Sequence, residues 1–296
     1  MEIVGKNEKN DSHFSEEVEM KTKKENGILK DIWNNRKLIA ELSKNDFKSK
    51  YAGSYFGIIW AFVQPVITIL VYWFVFDKAL NAASSVTKQG IEVPYVLWLI
   101  AGMVPWFYFA EVANSGTNVL IEYNYLVKKV VFNIDVLPVV KLISSLFVHV
   151  FFVLFMFVVY LLYGFHPTLY MLQVIYYSFA MFCMCLGLAL FTSAITVFFR
   201  DLSQLISIFL QVLMWMTPIM WNIGAMEDKL AKPILLILKA NPMYYIVSGY
   251  RDSMIDQNWF WERQGISIYF WAFTLFCILV GAKVFKKLKI HFADVL

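Results

Sequence analysis

Charged side chains are scarce in this chain. Only 16% of its 296 residues are Asp, Glu, Lys or Arg, whereas 59% are hydrophobic. A soluble domain of this length needs a charged exterior, so the balance argues against one. Cysteine is scarcer still. Cys183, Cys185 and Cys277 all lie in apolar runs. Cys183 and Cys185 point to different sides of a helix, which argues against a shared metal site, and no disulfide framework is implied. All three read as small buried hydrophobes. There is no Gly-x-x-x-x-Gly-Lys-Ser/Thr phosphate loop, so the chain is not expected to bind ATP by itself. There is no HExxH and no paired cysteine motif, so neither a metal nor a cofactor is expected. No secretory signal is expected either, because a long charged segment precedes the first apolar run.

The few charges are unevenly placed. Eleven Lys and Arg fall within residues 1–50, and the remainder of the chain is mostly apolar. Nucleic-acid readers interleave their basic residues through a fold, so the net charge of +4 does not point to nucleic acid. Residues 1–27 carry mixed charge and few apolar side chains, and read as a disordered tail.

Hydrocarbon and aromatic rings are abundant. A bilayer core of about 30 Å needs about 20 mostly apolar helical residues. Six runs meet that test, at 57–76, 94–117, 138–164, 170–198, 203–221 and 266–284. The pattern predicts an all-α membrane protein with six transmembrane helices. The flanking Lys and Arg place both termini on the cytoplasmic side of a plasma membrane. Residues 28–50 set Ile28, Ile32, Trp33, Ile39 and Leu42 at near-helical spacing among charges. They read as an amphipathic helix in the inner interface or against a soluble partner. Ser43 followed by Asp46 is a capping signal that could start a second short helix there.

Residues 120–133 are too polar to span and too apolar for a plain loop, so a short helix on the inner membrane face is expected. Arg200 and Asp201 mark a tight turn. Between 222 and 265, a short apolar run from Lys232 to Lys239 is followed by Asn241-Pro242, a helix start with proline at the first helical position. Two short helices dipping back into the outer leaflet would cap a cavity.

Three groups could carry chemistry. Intramembrane acids are functional candidates by default, but Glu111 could equally pair with Lys141 or a helix-end amide. His149 reads as a helix–helix hydrogen-bonding residue and His166, beside Pro167, as a turn residue, rather than as catalytic bases. The aromatic residues form the third group. Tyr51, Tyr55 and Phe62 fall near one face of the first run, with Trp60 and Gln64 beside them, and Trp215 lies in the fifth. Rings stack on the apolar faces of sugars, and Tyr or Trp adds a hydrogen bond. A channel so lined could pass a polyol chain. An interfacial aromatic belt is the alternative, and it accounts for Trp98, Trp106, Trp259 and Trp261.

The segments SKYAGSYFGIIWAFVQP, YWFVFDKAL and PYVLWLIAGMVPWFYF resemble the permease subunit of bacterial ABC-2 type exporters for lipid-linked polysaccharides. So do VFFRDLSQLISIFLQVLMWMTPIMW, NPMYYIVSGYRDSM and the terminal FADVL. The resemblance covers about residues 30–296 and is closest to wall teichoic acid exporters, with O-antigen exporters as the sister group. It implies a homodimer working with two copies of an ABC ATPase subunit, which would bind the ATP and Mg. It implies a role in coupling to that ATPase for 120–133, where Tyr123, Asn124, Leu126 and Lys128 stand. It implies outer gate helices at 226–256, with Asn241, Pro242, Tyr244 and Tyr245. The cargo implied is an undecaprenyl-diphosphate-linked polymer. Its diphosphate would meet Arg36, Lys37, Lys44, Lys48 and Lys50, which could equally attract anionic lipid. Three other functions remain open: an ABC exporter of a small amphiphile or drug, a membrane acyl- or glycosyltransferase needing His149 or Glu111, and a non-catalytic membrane scaffold.

Overall fold

The computed structural model describes residues 32–80, 85–86, 92–128, 133–226 and 229–296. The expected tail, Ile28, and residues 129–132 of the inner segment lie outside them. The described residues are mostly helical, and the strands among them are an antiparallel pair of two residues each, β1 (Ser85–Val86) and β2 (Glu92–Val93).

Five stretches are long and apolar enough to cross a membrane: Gly57–Ala79, Tyr95–Glu122, Ile134–Leu162, Leu169–Thr196 and Phe260–His291. Their α-helical parts are α2 (Trp60–Trp73), α3 (Tyr95–Glu122), α5 (Leu137–Leu162), α6 (Gln173–Thr196) and α10 (Gln264–Leu288). Preceding or joining them are α1 (Arg36–Lys50), α4 (Asn124–Val127), α7 (Leu202–Met216), α8 (Lys232–Ala240), α9 (Pro242–Arg251) and α11 (Phe292–Val295).

The expected fifth run, 203–221, is only partly a helix. The 15 residues of α7 reach about 22 Å at 1.5 Å per residue, short of the bilayer core. The reason is local. Thr217 precedes Pro218, which disfavours the helical region for it, and Thr217 is extended at φ −76°, ψ 129°. The freed backbone beyond α7 is then captured. Arg251 donates from Nη2 to the Ile219 carbonyl at 2.7 Å and from Nη1 to that of Pro218, and its guanidinium lies 3.2 Å from the centre of the Trp98 ring.

α3 is the hub. Most of its residues from Tyr95 to Leu120 are buried, as expected for a helix enclosed by others. It packs between α5 and α6 and against α9. Hydrogen bonds join these helices inside the apolar layer: Tyr160 to the Leu97 carbonyl at 2.9 Å, and Thr117 to Thr192 at 2.9 Å. Each such bond contributes about 0.6 kcal/mol on average. α6 and α10 meet through glycines. A Cβ on Gly281 would stand 2.4 Å from the Gly187 carbonyl oxygen, so only hydrogen permits the approach.

α1 packs on α5, with Ile39 against Val136, Val139 and Val140. Ile32 and Leu42 are partly buried there, while Trp33 stays exposed beside Arg36. Ser43 and Asp46 cap nothing. The helix runs through them unbroken, and both are buried on the same face as Ile39, at i, i+4 and i+7.

The Asn241-Pro242 start holds. The Asn241 side chain accepts from the Met243 N–H at 3.0 Å and donates to Thr217 Oγ1 at 2.7 Å. The two short helices differ. α8 exposes Ile234, Leu236 and Ile237, whereas α9 is buried against α3 and α6.

Candidate functional site

A cleft of about 760 Å³ opens among α1, α2, α3 and α5. Each helix brings a different chemistry. From α2 come Trp60, Gln64 and Thr68, one turn apart along one face. Pro65, between them, has no N–H to offer the Ala61 carbonyl, and both residues line the cleft. Such a freed carbonyl is tolerable at membrane depth only against protein or water. α3 adds Phe107, Glu111, Asn114 and Ser115. α5 adds Ser144, Ser145 and His149.

Two ion-pair systems stand in the wall. Lys141 of α5 reaches Asp46 of α1 at 2.7 Å and Glu122 at the end of α3 at 2.6 Å. The Tyr123 hydroxyl donates to the same Asp46 oxygen at 2.7 Å. Lys141 and Asp46 are 10% and 7% exposed, whereas Glu122 is 47% exposed. Burial would push the Asp46 carboxyl up. The hydrogen bonds from Lys141 and Tyr123 and the Lys141 charge outweigh that and hold it below its usual value. In the second system Lys50 pairs with Glu111, so the acid's partner is Lys50 and not Lys141. Burial would lower the Lys50 ammonium, but the Glu111 charge and hydrogen bond hold it above its usual value. Neither Asp46 nor Lys141 stood out as a site residue in the sequence. The signal that could have found them is a lysine inside an apolar run, which needs an acid nearby.

The expected channel residues divide. Tyr51, Trp60 and Gln64 line the cleft. Tyr55 is 97% exposed and Trp215 is exposed on α7, both outside it. Phe62 turns the other way and packs on Phe151, ring centres 4.2 Å apart. Of the five basic residues on α1, Arg36, Lys37, Lys44 and Lys48 are exposed, with no ion pair among the described residues. Lys50 alone turns into the cleft.

In the inner segment, Tyr123 faces Asp46, while Asn124 and Lys128 are exposed and Leu126 packs beside a small core that includes Val127 and Phe292. At the other end Tyr244 and Tyr245 are buried. The Tyr245 ring stacks on Phe270 and its hydroxyl meets that of Tyr176 at 3.1 Å. His149 is the interhelical residue expected. Its Nε2 lies 3.2 Å from Ser178 Oγ on α6 and 3.0 Å from the Tyr250 hydroxyl on α9. A second cavity, also about 760 Å³, lies between α5 and α6. It is lined by hydrocarbon apart from His149, Thr168 and Ser178, so it suits a lipid chain and offers little to a polar solute.

The chain matches the family model described as ABC-2 type transporter over residues 37–255, which takes in every wall of the cleft. It is similar to two proteins of Klebsiella pneumoniae described as O-antigen export system permease protein RfbA. Each is 26% identical, with 88% of this chain and 95% of the relative covered. It is similar also to a protein of that description from Myxococcus xanthus, 26% identical over 76% of this chain and 82% of the relative.

Proposed function

The chain belongs to the ABC-2 type transporter family. From that premise we propose that it is the membrane subunit of an ATP-driven exporter. It would carry a lipid-linked surface polysaccharide from the cytoplasmic to the outer side of a bacterial plasma membrane. The observation that carries this reading is the cleft. A bundle built of apolar helices keeps a cavity of about 760 Å³ lined by amide, hydroxyl and ring. An exporter of oily solutes needs no such lining, whereas a hydroxylated polymer does. The relatives, described as O-antigen export permeases, support the same cargo class.

Within that class the motif resemblance favours wall teichoic acid, and the descriptions of the relatives favour an O-antigen glycan. Two lysines and three acids line the cleft, so an uncharged glycan suits it better than a polymer of phosphates. The working unit is a homodimer with two ATPase subunits. The exposed apolar faces of α2 and α7, including Ile67, Leu70, Phe209 and Val212, are candidates for the contact between copies. ATP-driven motion enters through the exposed Asn124 and Lys128, and the undecaprenyl diphosphate rests on the cationic face of α1.

Six passages and two cytoplasmic termini fit the packing. α1 and the C-terminal segment both touch the start of the Ile134–Leu162 span, through Ile39 to Val136 and Lys289 to Asp135 at 2.8 Å. Both therefore lie at one end of the bundle. Five crossings would separate them, so α7 with the turn behind it supplies the sixth. On this topology α8 and α9 stand at the outer side, and the gate lies along the exposed α8 while α9 anchors it.

Depleting the chain tests the reading. Surface polymer should fall while its lipid-linked form accumulates inside the cell, and a complementing copy should reverse both. Unchanged surface polymer overturns it. An exporter of small amphiphiles, which the apolar second cavity favours, would instead show partner ATPase activity stimulated by such compounds. An acyl- or glycosyltransferase is disfavoured because His149 Nε2 and Glu111 are already engaged with other side chains.

A further inference from the structure

The charged residues of the cleft do not suit a phosphate. Two lysines, Lys50 and Lys141, face three acids, Asp46, Glu111 and Glu122, so the wall carries one net negative charge. Both lysines are engaged, Lys50 by Glu111 and Lys141 by Asp46 and Glu122. The cations of α1 with no ion pair among the described residues, Arg36, Lys37, Lys44 and Lys48, are absent from the cleft wall. The other groups inside are uncharged and suited to hydroxyls. Gln64 and Thr68 face the cleft from α2 and Ser145 from α5, with Trp60 and Phe107 supplying ring faces.

We propose that the cleft is a charge-selective subsite that admits uncharged sugar or polyol units and excludes phosphate, with the excess of acids over lysines in its wall setting the selectivity. The proposal rests on the polysaccharide-export reading and narrows it. An uncharged glycan then fits better than a polymer with a phosphate in every repeat. The physical cause is Coulombic. In a partly desolvated site, one unit charge at about 12 Å changes the occupancy of an ion by about tenfold.

The test uses the full chain in its membrane, with Cys183, Cys185 and Cys277 replaced by alanine and one cysteine introduced at Thr68 or, separately, at Ser145. Methanethiosulfonate reagents of similar size carry a neutral, an ammonium or a sulfonate group. Each charged rate is divided by the neutral rate at the same cysteine and then by the same ratio for a small thiol in solution, which removes differences in access, folding and intrinsic reactivity. At both positions the sulfonate should react about tenfold slower than the neutral reagent, and the ammonium should not be slowed. Glu111→Gln takes the wall to zero net charge and should abolish the sulfonate deficit. Lys50→Gln takes it to two negative charges and should deepen the deficit about tenfold more. The double variant Lys50→Gln/Glu111→Gln returns the wall to one negative charge and should restore the wild-type ratio. Equal sulfonate and ammonium rates in the wild type, or a double variant unlike the wild type, overturn the proposal. If the rates obey net charge but surface polymer is indifferent to loss of the chain, the cargo assignment falls with the transport reading. If export needs the chain and the rates ignore net charge, this proposal alone falls.

Discussion

Lys141→Met probes the most buried polar junction at the end of the bundle that carries α1. The substitution keeps most of the side chain's length and apolar stem but removes the ammonium that joins α1, α3 and α5. Losing one partner of a buried ion pair costs about 3–5 kcal/mol. The lower end applies, because Tyr123 still donates to Asp46. The Glu122 contact is half-exposed and adds about 0–1 kcal/mol. The expected loss is about 3–4 kcal/mol, a fall in Tm of roughly 6–15 °C. Asp46→Asn combined with Lys141→Met removes both charges and should recover about 2 kcal/mol of that, read as a coupling in a double-mutant cycle.

The same variant has a signed pH dependence. In the wild type the Asp46 carboxyl is depressed. It therefore stabilises the fold above its unfolded value of about 3.9, and the contribution is lost as pH falls through the folded value. In Lys141→Met, burial is opposed only by the hydrogen bonds from Tyr123 and Ser144, without the Lys141 charge, and the carboxyl rises. Relative to the wild type, the variant should then gain stability as pH is lowered towards the carboxylate range. Melting curves of the purified chain in lipid nanodiscs at a series of pH values read both effects. A Tm within about 1 °C of wild type, or an unchanged pH profile, would refute the reasoning.

Trp60→Ala should impair export in a complementation assay while Tyr55→Ala leaves it intact, since only Trp60 lines the cleft; equal effects would count against the cleft as the conduit. Asn241→Ala removes the cap of α9 and its bond to Thr217, a loss of about 1–2 kcal/mol measurable as a lower Tm. Gly281→Ala drives a Cβ against the Gly187 carbonyl and should cost about 1–3 kcal/mol, with Gly265→Ala, where a Cβ meets open space, as the neutral control in the same melt.

Much of the fold was legible in the sequence, because a bilayer imposes a length and a polarity that local composition must obey. The expected runs 57–76, 94–117, 138–164 and 170–198 match observed spans within a few residues, and the Asn241-Pro242 start was correct. The helix at Arg36–Lys50 was anticipated, but its surroundings were not. Its spacing reads equally as a helix on lipid or a helix on protein, and only the position of α5 decides. For the same reason Ser43 and Asp46 read as a cap. A short polar residue favours a helix start locally, yet it can serve as well inside a helix that meets a buried lysine.

The cleft shows the division most sharply. Residue type alone marked Tyr51, Trp60 and Gln64 as able to meet a polyol, but it marked Tyr55, Phe62 and Trp215 equally. Helical spacing puts residues on a face without saying what that face looks at. Packing of α2 beside α3 and α5 turned Trp60 and Gln64 inward, set Phe62 on Phe151 and left Tyr55 outside. The choice of Lys50 rather than Lys141 as the partner of Glu111 is likewise tertiary, since the residues lie 61 positions apart. Hydrophobicity is summed along the chain, so the sequence determined the number of apolar runs and which ends are basic. Ion pairs and cavities depend on which helix stands next to which, and that was decided only when the helices packed.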